Sequence, residues 1–188
     1  MRIISGDHKG KKILSPKDEL TRPLKDLTKE SIFNIIKHSK LLNISLENSN
    51  ILDLFSGVGS FGLECLSRGA ANVTFLECYK EVLAVLKKNI SNIKRQDSSN
   101  IIERNIFEEN TLKALNDKYD IIFIDPPYKE KKLLGLLNTI IKLKLLKDNG
   151  IIIIHRHKKE DDIFPNEFNI IIKKNYGISK IIFGNTLV

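Results

Sequence analysis

Cysteine is scarce in this chain: only Cys65 and Cys78 occur, and they form no CxxC pair. That excludes a disulfide framework, offers no zinc-finger spacing, and fits a reducing compartment. Long apolar runs are absent too. The longest, such as Ile151–Ile154, are strand-sized and too short to cross a bilayer. The opening MRIISGDHKGKK is charged where a signal peptide needs an apolar stretch, so a cytoplasmic protein is expected, with no membrane partner. No internal repeat and no low-complexity segment interrupts the chain.

What is present is ordinary globular material with a basic excess. The 188 residues suffice for one α/β domain and a small attachment. Hydrophobic residues make up 41% and charged residues 29%, which excludes a disordered chain. Thirty-one Lys and Arg against 23 Asp and Glu leave a net charge of +8. Residues 1–40 hold ten of those basic residues and five acidic ones, so most of the excess sits at one end. A localised positive surface suits an anionic partner such as nucleic acid, although compositional drift toward Lys produces the same count.

Two textures divide the chain at about residue 40. In the first, RIIS (2–5) and KKIL (11–14) flank a Gly-bounded turn and predict a hairpin. Thr21-Arg22-Pro23 then precedes helically spaced apolar residues from Leu24 to Ile36. Residues 1–40 are therefore expected to form a hairpin-and-helix extension, and 41–188 the main domain. That domain alternates strands (50–55, 72–77, 100–105, 119–125, 150–156) with helices (59–68, 79–92, 107–115, 131–146). The alternation predicts a doubly wound, Rossmann-like α/β sheet, mostly parallel. FNIIIKK, Tyr176-Gly177 and ISKIIFG predict a C-terminal antiparallel hairpin, an ending typical of Rossmann-like methyltransferases.

The first strand runs into Asp53-Leu54-Phe55-Ser56-Gly57-Val58-Gly59-Ser60-Phe61-Gly62, and Glu77 follows Gly57 by twenty residues. Glycines let the backbone turn sharply and a ligand approach closely; a carboxylate at the next strand end can accept ribose hydroxyls. A GxGxxG loop with an acidic partner serves NAD as well as S-adenosylmethionine. Asp53 and Phe55 shift the balance, because a carboxylate beside the loop suits an amino-acid ammonium and repels a pyrophosphate.

Asp125-Pro126-Pro127-Tyr128 follows the apolar strand Ile121–Ile124, where a doubly wound sheet binds ligands. An exocyclic base amine is a poor nucleophile because its lone pair is delocalised into the ring. Two acceptors on its N–H bonds, the Asp125 carboxylate and the Pro126 carbonyl, would favour a tetrahedral nitrogen aimed at a methyl sulfonium. The proline rings stiffen the backbone, and Tyr128 offers a face on which a base can stack.

These motifs, together with RIISGDHKGKKI, Thr21-Arg22-Pro23, Lys29–Ile35 and Ser67-Arg68-Gly69-Ala70, resemble the RsmD-type 16S rRNA guanine-N2 methyltransferases almost end to end. The resemblance implies S-adenosylmethionine as methyl donor, no metal, and small-subunit rRNA or the assembled small subunit as partner. It implies cofactor binding by Asp53, Phe55, Gly57, Gly59, Glu77, Cys78, Asn105 and Ile106, and catalysis by Asp125, Pro126 and Tyr128. Asn105 departs from the family pattern, which has Asp there to hold the adenine, and Leu24 stands where a small polar residue is common. Lys9, Lys11, Lys12 and Arg22 are expected to contact RNA. Cys78 suits either the adenosine pocket or simple packing. Lys129, Lys131 and Lys132 suit phosphates or a solvated helix face.

His155 and His157 lie two apart on one strand face, and a solvated strand end is expected there rather than a metal site. Rival readings are an adenine-N6 methyltransferase on DNA or RNA, an NAD-dependent oxidoreductase, and a non-catalytic RNA-binding module.

Overall fold

The computed structural model describes residues 1–16, 24–108 and 110–187. Helix α1 (Asp26–His38) precedes β1 (Asn50–Leu54), α2 (Ser60–Ser67), β2 (Asn72–Glu77) and α3 (Lys80–Asn92). Then follow β3 (Ser99–Glu103), β4 (Tyr119–Ile124), α4 (Leu133–Lys142), β5 (Leu146–His157), β6 (Phe168–Tyr176) and β7 (Ser179–Thr186). One seven-stranded sheet has the order β3-β2-β1-β4-β5-β7-β6. Strands β1 to β5 are parallel; β7 runs antiparallel to both β5 and β6 and slots between them. The expected doubly wound sheet with its closing hairpin is present.

Strand alternation explains the two cores. Side chains two apart share a face, so Ile51, Phe75, Ile121, Phe123, Ile151 and Ile153 pack under α1, α2 and α3. Leu52, Leu54, Leu76, Ile122, Ile124, Ile152 and Ile154 face α4. Runs apolar at every position are what a sheet covered on both sides requires. Phe33 of α1, Phe61 of α2 and Phe123 of β4 form a stack with ring centroids 5.2 and 4.0 Å apart.

The N-terminal segment joins that first core through Ile3, Ile13, Leu24, Ile32 and Phe33. Its hairpin is reduced to one antiparallel bridge, Arg2 to Lys12. Side chains do the rest of the anchoring. The buried Glu64 of α2 accepts N–H bonds from Ile4 (2.7 Å) and Ser5 (3.0 Å), and Lys29 Nζ donates to the Arg2 carbonyl at 2.6 Å. Asn89 of α3 clasps Leu14 on both its N–H and its carbonyl.

Several boundaries differ from expectation, and β5 begins at Leu146 instead of 150. Residues 107–115 form turns, not a helix, among the described residues. Asn105 Oδ1 accepts the Phe107 N–H at 3.0 Å and Thr111 Oγ donates to the Asn105 carbonyl at 2.8 Å, so side chains outcompete the helical pattern. Strand β3 ends at Glu103, leaving Asn105 beyond it. Helix α4 stops at Lys142, because Lys144 adopts a left-handed φ of 52° and releases Leu145 and Leu146 toward β5. Among the described residues, no helix is long and apolar enough to cross a membrane.

Candidate functional site

Strand β1 pairs with β2 on one side and β4 on the other, with Leu54 opposite both Leu76 and Ile124. The chain winds one way to β2 and β3 and the other way to β4 and β5, so a crevice opens at the carboxyl end of β1. Three carboxylates meet at this switch point. Asp53 is one residue from the end of β1, Glu77 ends β2, and Asp125 follows β4.

Asp53 is 1% exposed, and its Oδ2 accepts the Gly62 N–H at 3.0 Å. Burial pushes its carboxyl well above the ordinary carboxylate range; Asp125 and Glu77 push it further, against the pull of the Gly62 N–H. Among the described residues no Lys or Arg pairs with Asp53 or Glu77. A buried carboxylate facing two others without a cation is an electrostatic fit for a cationic ligand.

The glycine loop wraps the same corner. Gly59, with φ of 84°, is the N-cap of α2, and a Cβ there would lie 2.5 Å from Leu86 Cδ1. At Gly62 a Cβ would lie 2.3 Å from Phe75 Cε1, so only glycine lets α2 settle onto β2. Phe55 also has a left-handed φ of 59°, an uncommon state for a bulky residue that tends to mark functional loops. Its ring meets Phe107 at 5.9 Å, and buried Ile106 belongs to the same face.

Glu77 is more engaged than a plain ribose acceptor. Oε1 accepts the N–H groups of Cys78 (2.8 Å) and Tyr79 (2.9 Å), while Oε2 accepts that of Gly57 (2.8 Å). A carboxylate has about four lone-pair directions, so one remains on Oε2 for a ligand hydroxyl. Glu77 thus shapes the glycine loop as well as facing the crevice. Cys78 is exposed beside it, and Asn105 is exposed with its amide oxygen held in the turn to Phe107.

Asp125 opens the Asp-Pro-Pro-Tyr loop, with its N–H 3.4 Å from the Leu54 carbonyl. Pro126 is buried and Tyr128 half-buried. Lys131 pairs with Glu160 at 2.8 Å, and the Lys132 ammonium lies 4.9 Å above the Phe107 ring centroid. Lys129 is exposed.

The expectation of a solvated strand end at His155 is overturned. His155 is 6% exposed, its Nδ1 is 2.7 Å from Asp125 Oδ1, and its Nε2 is 2.9 Å from Ser179 Oγ. The next residue, Arg156, is 1% exposed and donates to the carbonyls of Pro127 (3.3 Å) and Glu130 (2.9 Å) and to Asp162 (2.9 Å). In the sequence His155 only follows four isoleucines, and its partners Asp125 and Ser179 are remote along the chain, so no local signal marked it. Among the described residues no group of three His, Cys, Asp or Glu side chains could hold a metal ion.

The residues expected to contact RNA lie away from the crevice. The turn bearing Lys9 docks at the C-terminal end of α2, where the Asp7 N–H donates to the Ser67 carbonyl. Lys11 Nζ reaches the Asn92 carbonyl at the end of α3. Lys9, Lys11 and Lys12 are exposed but are not brought to the crevice, which opens at the N-terminal end of α2. Arg22 lies outside the described residues.

Residues 1–185 match the family described as conserved hypothetical protein 95. Ribosomal RNA small subunit methyltransferase D of Buchnera aphidicola subsp. Acyrthosiphon pisum is 37% identical over 92% of this chain and 86% of its own length. The Escherichia coli K12 protein of the same name is 33% identical over 80% and 68%. Among solved structures, HI0767 of Haemophilus influenzae superposes with a TM-score of 0.78 at 30% identity, covering 100% of this chain and 98% of that one. The matching family model and these relatives, over a sheet and crevice of this form, establish that the chain belongs to the RsmD family.

Proposed function

We propose that this protein transfers a methyl group from S-adenosylmethionine to the exocyclic N2 amine of a guanine in small-subunit rRNA. The observation that carries the reading is the carboxylate trio Asp53, Glu77 and Asp125 at the switch point, unpaired with any Lys or Arg among the described residues. S-adenosylmethionine would supply a methyl on a cationic sulfur together with an ammonium, and the trio offers the negative charge that both need. Asp53 would face the ammonium, Glu77 a ribose hydroxyl, and Phe55 with Ile106 and Phe107 the adenine side. The substrate is inferred from the relatives, which are named for small-subunit rRNA.

The target base must leave its stack or pair to enter the crevice. Asp125 would accept one N–H of the amine and the Pro126 carbonyl the other, while the Tyr128 ring supports the base. Asp125 would also take the proton that the amine sheds as its nitrogen gains the methyl and the methyl–sulfur bond breaks. Groups held in position before the reaction are where electrostatic catalysis gets its effect. Residues 1–40 would act as an RNA-contacting extension on the flank of the catalytic domain, with Lys9, Lys11 and Lys12 toward phosphates.

The test is methyl transfer from labelled S-adenosylmethionine to naked rRNA and to undermodified small subunits, with nucleoside mass spectrometry. N2-methylguanosine is expected. N6-methyladenosine would transfer the reading to an adenine enzyme, and a thermal shift with NADH but not S-adenosylhomocysteine would replace it altogether.

A further inference from the structure

Asp125 is the first residue of a loop, and a loop carboxylate is free to rotate unless something holds it. Here the holder is on β5. His155 Nδ1 lies 2.7 Å from Asp125 Oδ1, and an ionised carboxylate only accepts, so the proton is on Nδ1. In a neutral ring Nε2 then accepts from the Ser179 hydroxyl at 2.9 Å. Ser179 is itself 6% exposed and sits on β7, paired directly with β5. The chain Ser179–His155–Asp125 therefore starts on two strands of the sheet and ends on one oxygen of the proposed acceptor.

The neighbouring residues act on the same loop. Arg156 holds the carbonyls of Pro127 and Glu130, and its own charge is met by Asp162, which also faces Lys180 at 3.4 Å. His157 places its ring 5.2 Å from that of Tyr128, edge to face. The tripeptide His155-Arg156-His157 thus touches the side chain, the backbone and the aromatic ring of the Asp-Pro-Pro-Tyr segment. With Oδ1 occupied, Oδ2 has no partner among the described residues.

We infer that His155 is a positioning residue that locks the Asp125 carboxylate with Oδ1 occupied and Oδ2 presented to the substrate amine. The inference rests on the methyl-transfer reading above. It explains why a buried histidine follows the four isoleucines of β5, and it makes the β5 terminus part of the device that sets the reaction geometry.

Two substitutions separate the contacts. The amide nitrogen of Asn can occupy the place of imidazole Nδ1, and that of Gln the place of Nε2. In single-turnover methylation, His155→Gln is expected to lower the rate about 10- to 100-fold, the scale of a misplaced reacting group. S-adenosylhomocysteine affinity and KM for RNA should stay near wild type. His155→Asn should recover most of the rate at similar thermal stability. Equal rates for His155→Gln and wild type, or equal losses in both variants, overturn the inference.

Imidazole nitrogen NMR of the resting protein at pH 8 gives an answer that does not depend on turnover. Nδ1 should carry the proton, and its resonance should move in Asp125→Asn. A ring protonated on Nε2 alone overturns the inference. Wild-type protein without methyl transfer on any RNA overturns the parent reading instead, and the NMR result still decides the role of His155.

Discussion

Asp53→Asn separates the cost of a buried charge from its use. In the ligand-free protein the Asn oxygen can still accept the Gly62 N–H now 3.0 Å from Asp53, and the amide nitrogen can face Asp125 and Glu77. The thermal midpoint is therefore expected to hold or rise. The sign follows from linkage. Burial, with Asp125 and Glu77, raises the folded carboxyl above its unfolded value, so the folded state binds more protons within that window. The stability this contributes is present below the unfolded value of 3.8 and is lost as pH rises through the folded one. Binding runs the other way. A ligand ammonium favours the ionised form, so wild-type affinity for S-adenosylhomocysteine should climb with pH through the window, by at most about one decade per unit. At pH 7.5 the substitution removes a charge-assisted contact of about 1.5–3 kcal/mol, or roughly 10- to 150-fold in Kd. Calorimetric titration from pH 5 to 7.5, with melting curves of the free protein, measures both halves. Wild-type affinity in Asp53→Asn across that range would refute the assignment of the ammonium to Asp53.

Asp125→Ala should lower single-turnover methylation on the order of 100-fold or more while leaving cofactor affinity nearly unchanged; near-normal methylation would remove Asp125 from the mechanism. Glu77→Ala should weaken S-adenosylhomocysteine binding by about 1–3 kcal/mol and also lower the melting temperature, since three backbone N–H groups lose their acceptor. Unchanged binding in a folded variant would count against the ribose assignment. Gly62→Ala, whose new methyl would meet Phe75 at 2.3 Å, should cost about 1–3 kcal/mol and lower the midpoint by roughly 3–10 °C in differential calorimetry. Lys9→Glu with Lys12→Glu should reduce RNA affinity and flatten its salt dependence without touching cofactor binding; identical salt slopes would make the basic N-terminus compositional.

The parts legible in the sequence were those where one chain segment carries its own physics. Ile121–Ile124 is apolar at every position because both faces are covered, and Asp125 had to emerge where that strand ends. Gly59 and Gly62 were legible because backbone geometry and close helix packing tolerate little else there. The segment 107–115 misled because helical spacing of apolar residues says nothing about Asn105 and Thr111, whose side chains hold the backbone in turns. For the N-terminal lysines charge counts give only an amount, whereas their placement depends on Ser67 and Asn92 at the C-terminal ends of α2 and α3.

His155 shows the limit most sharply. A histidine after four isoleucines reads as the point where a strand meets water, and its partners lie 30 and 24 residues away in sequence. Nothing local distinguishes it from His157, which shares its strand face. The difference arises from pairing: β7 inserts between β5 and β6, bringing Ser179 and Lys180 against the end of β5 and covering it. Burying a polar ring costs free energy unless both nitrogens are bonded, and here both are. A buried polar side chain satisfied at one end by the sheet and at the other by Asp125 has a structural tie on one side only. The other side holds the proposed acceptor of the reacting amine, so substitutions at His155 are expected to separate rate from stability.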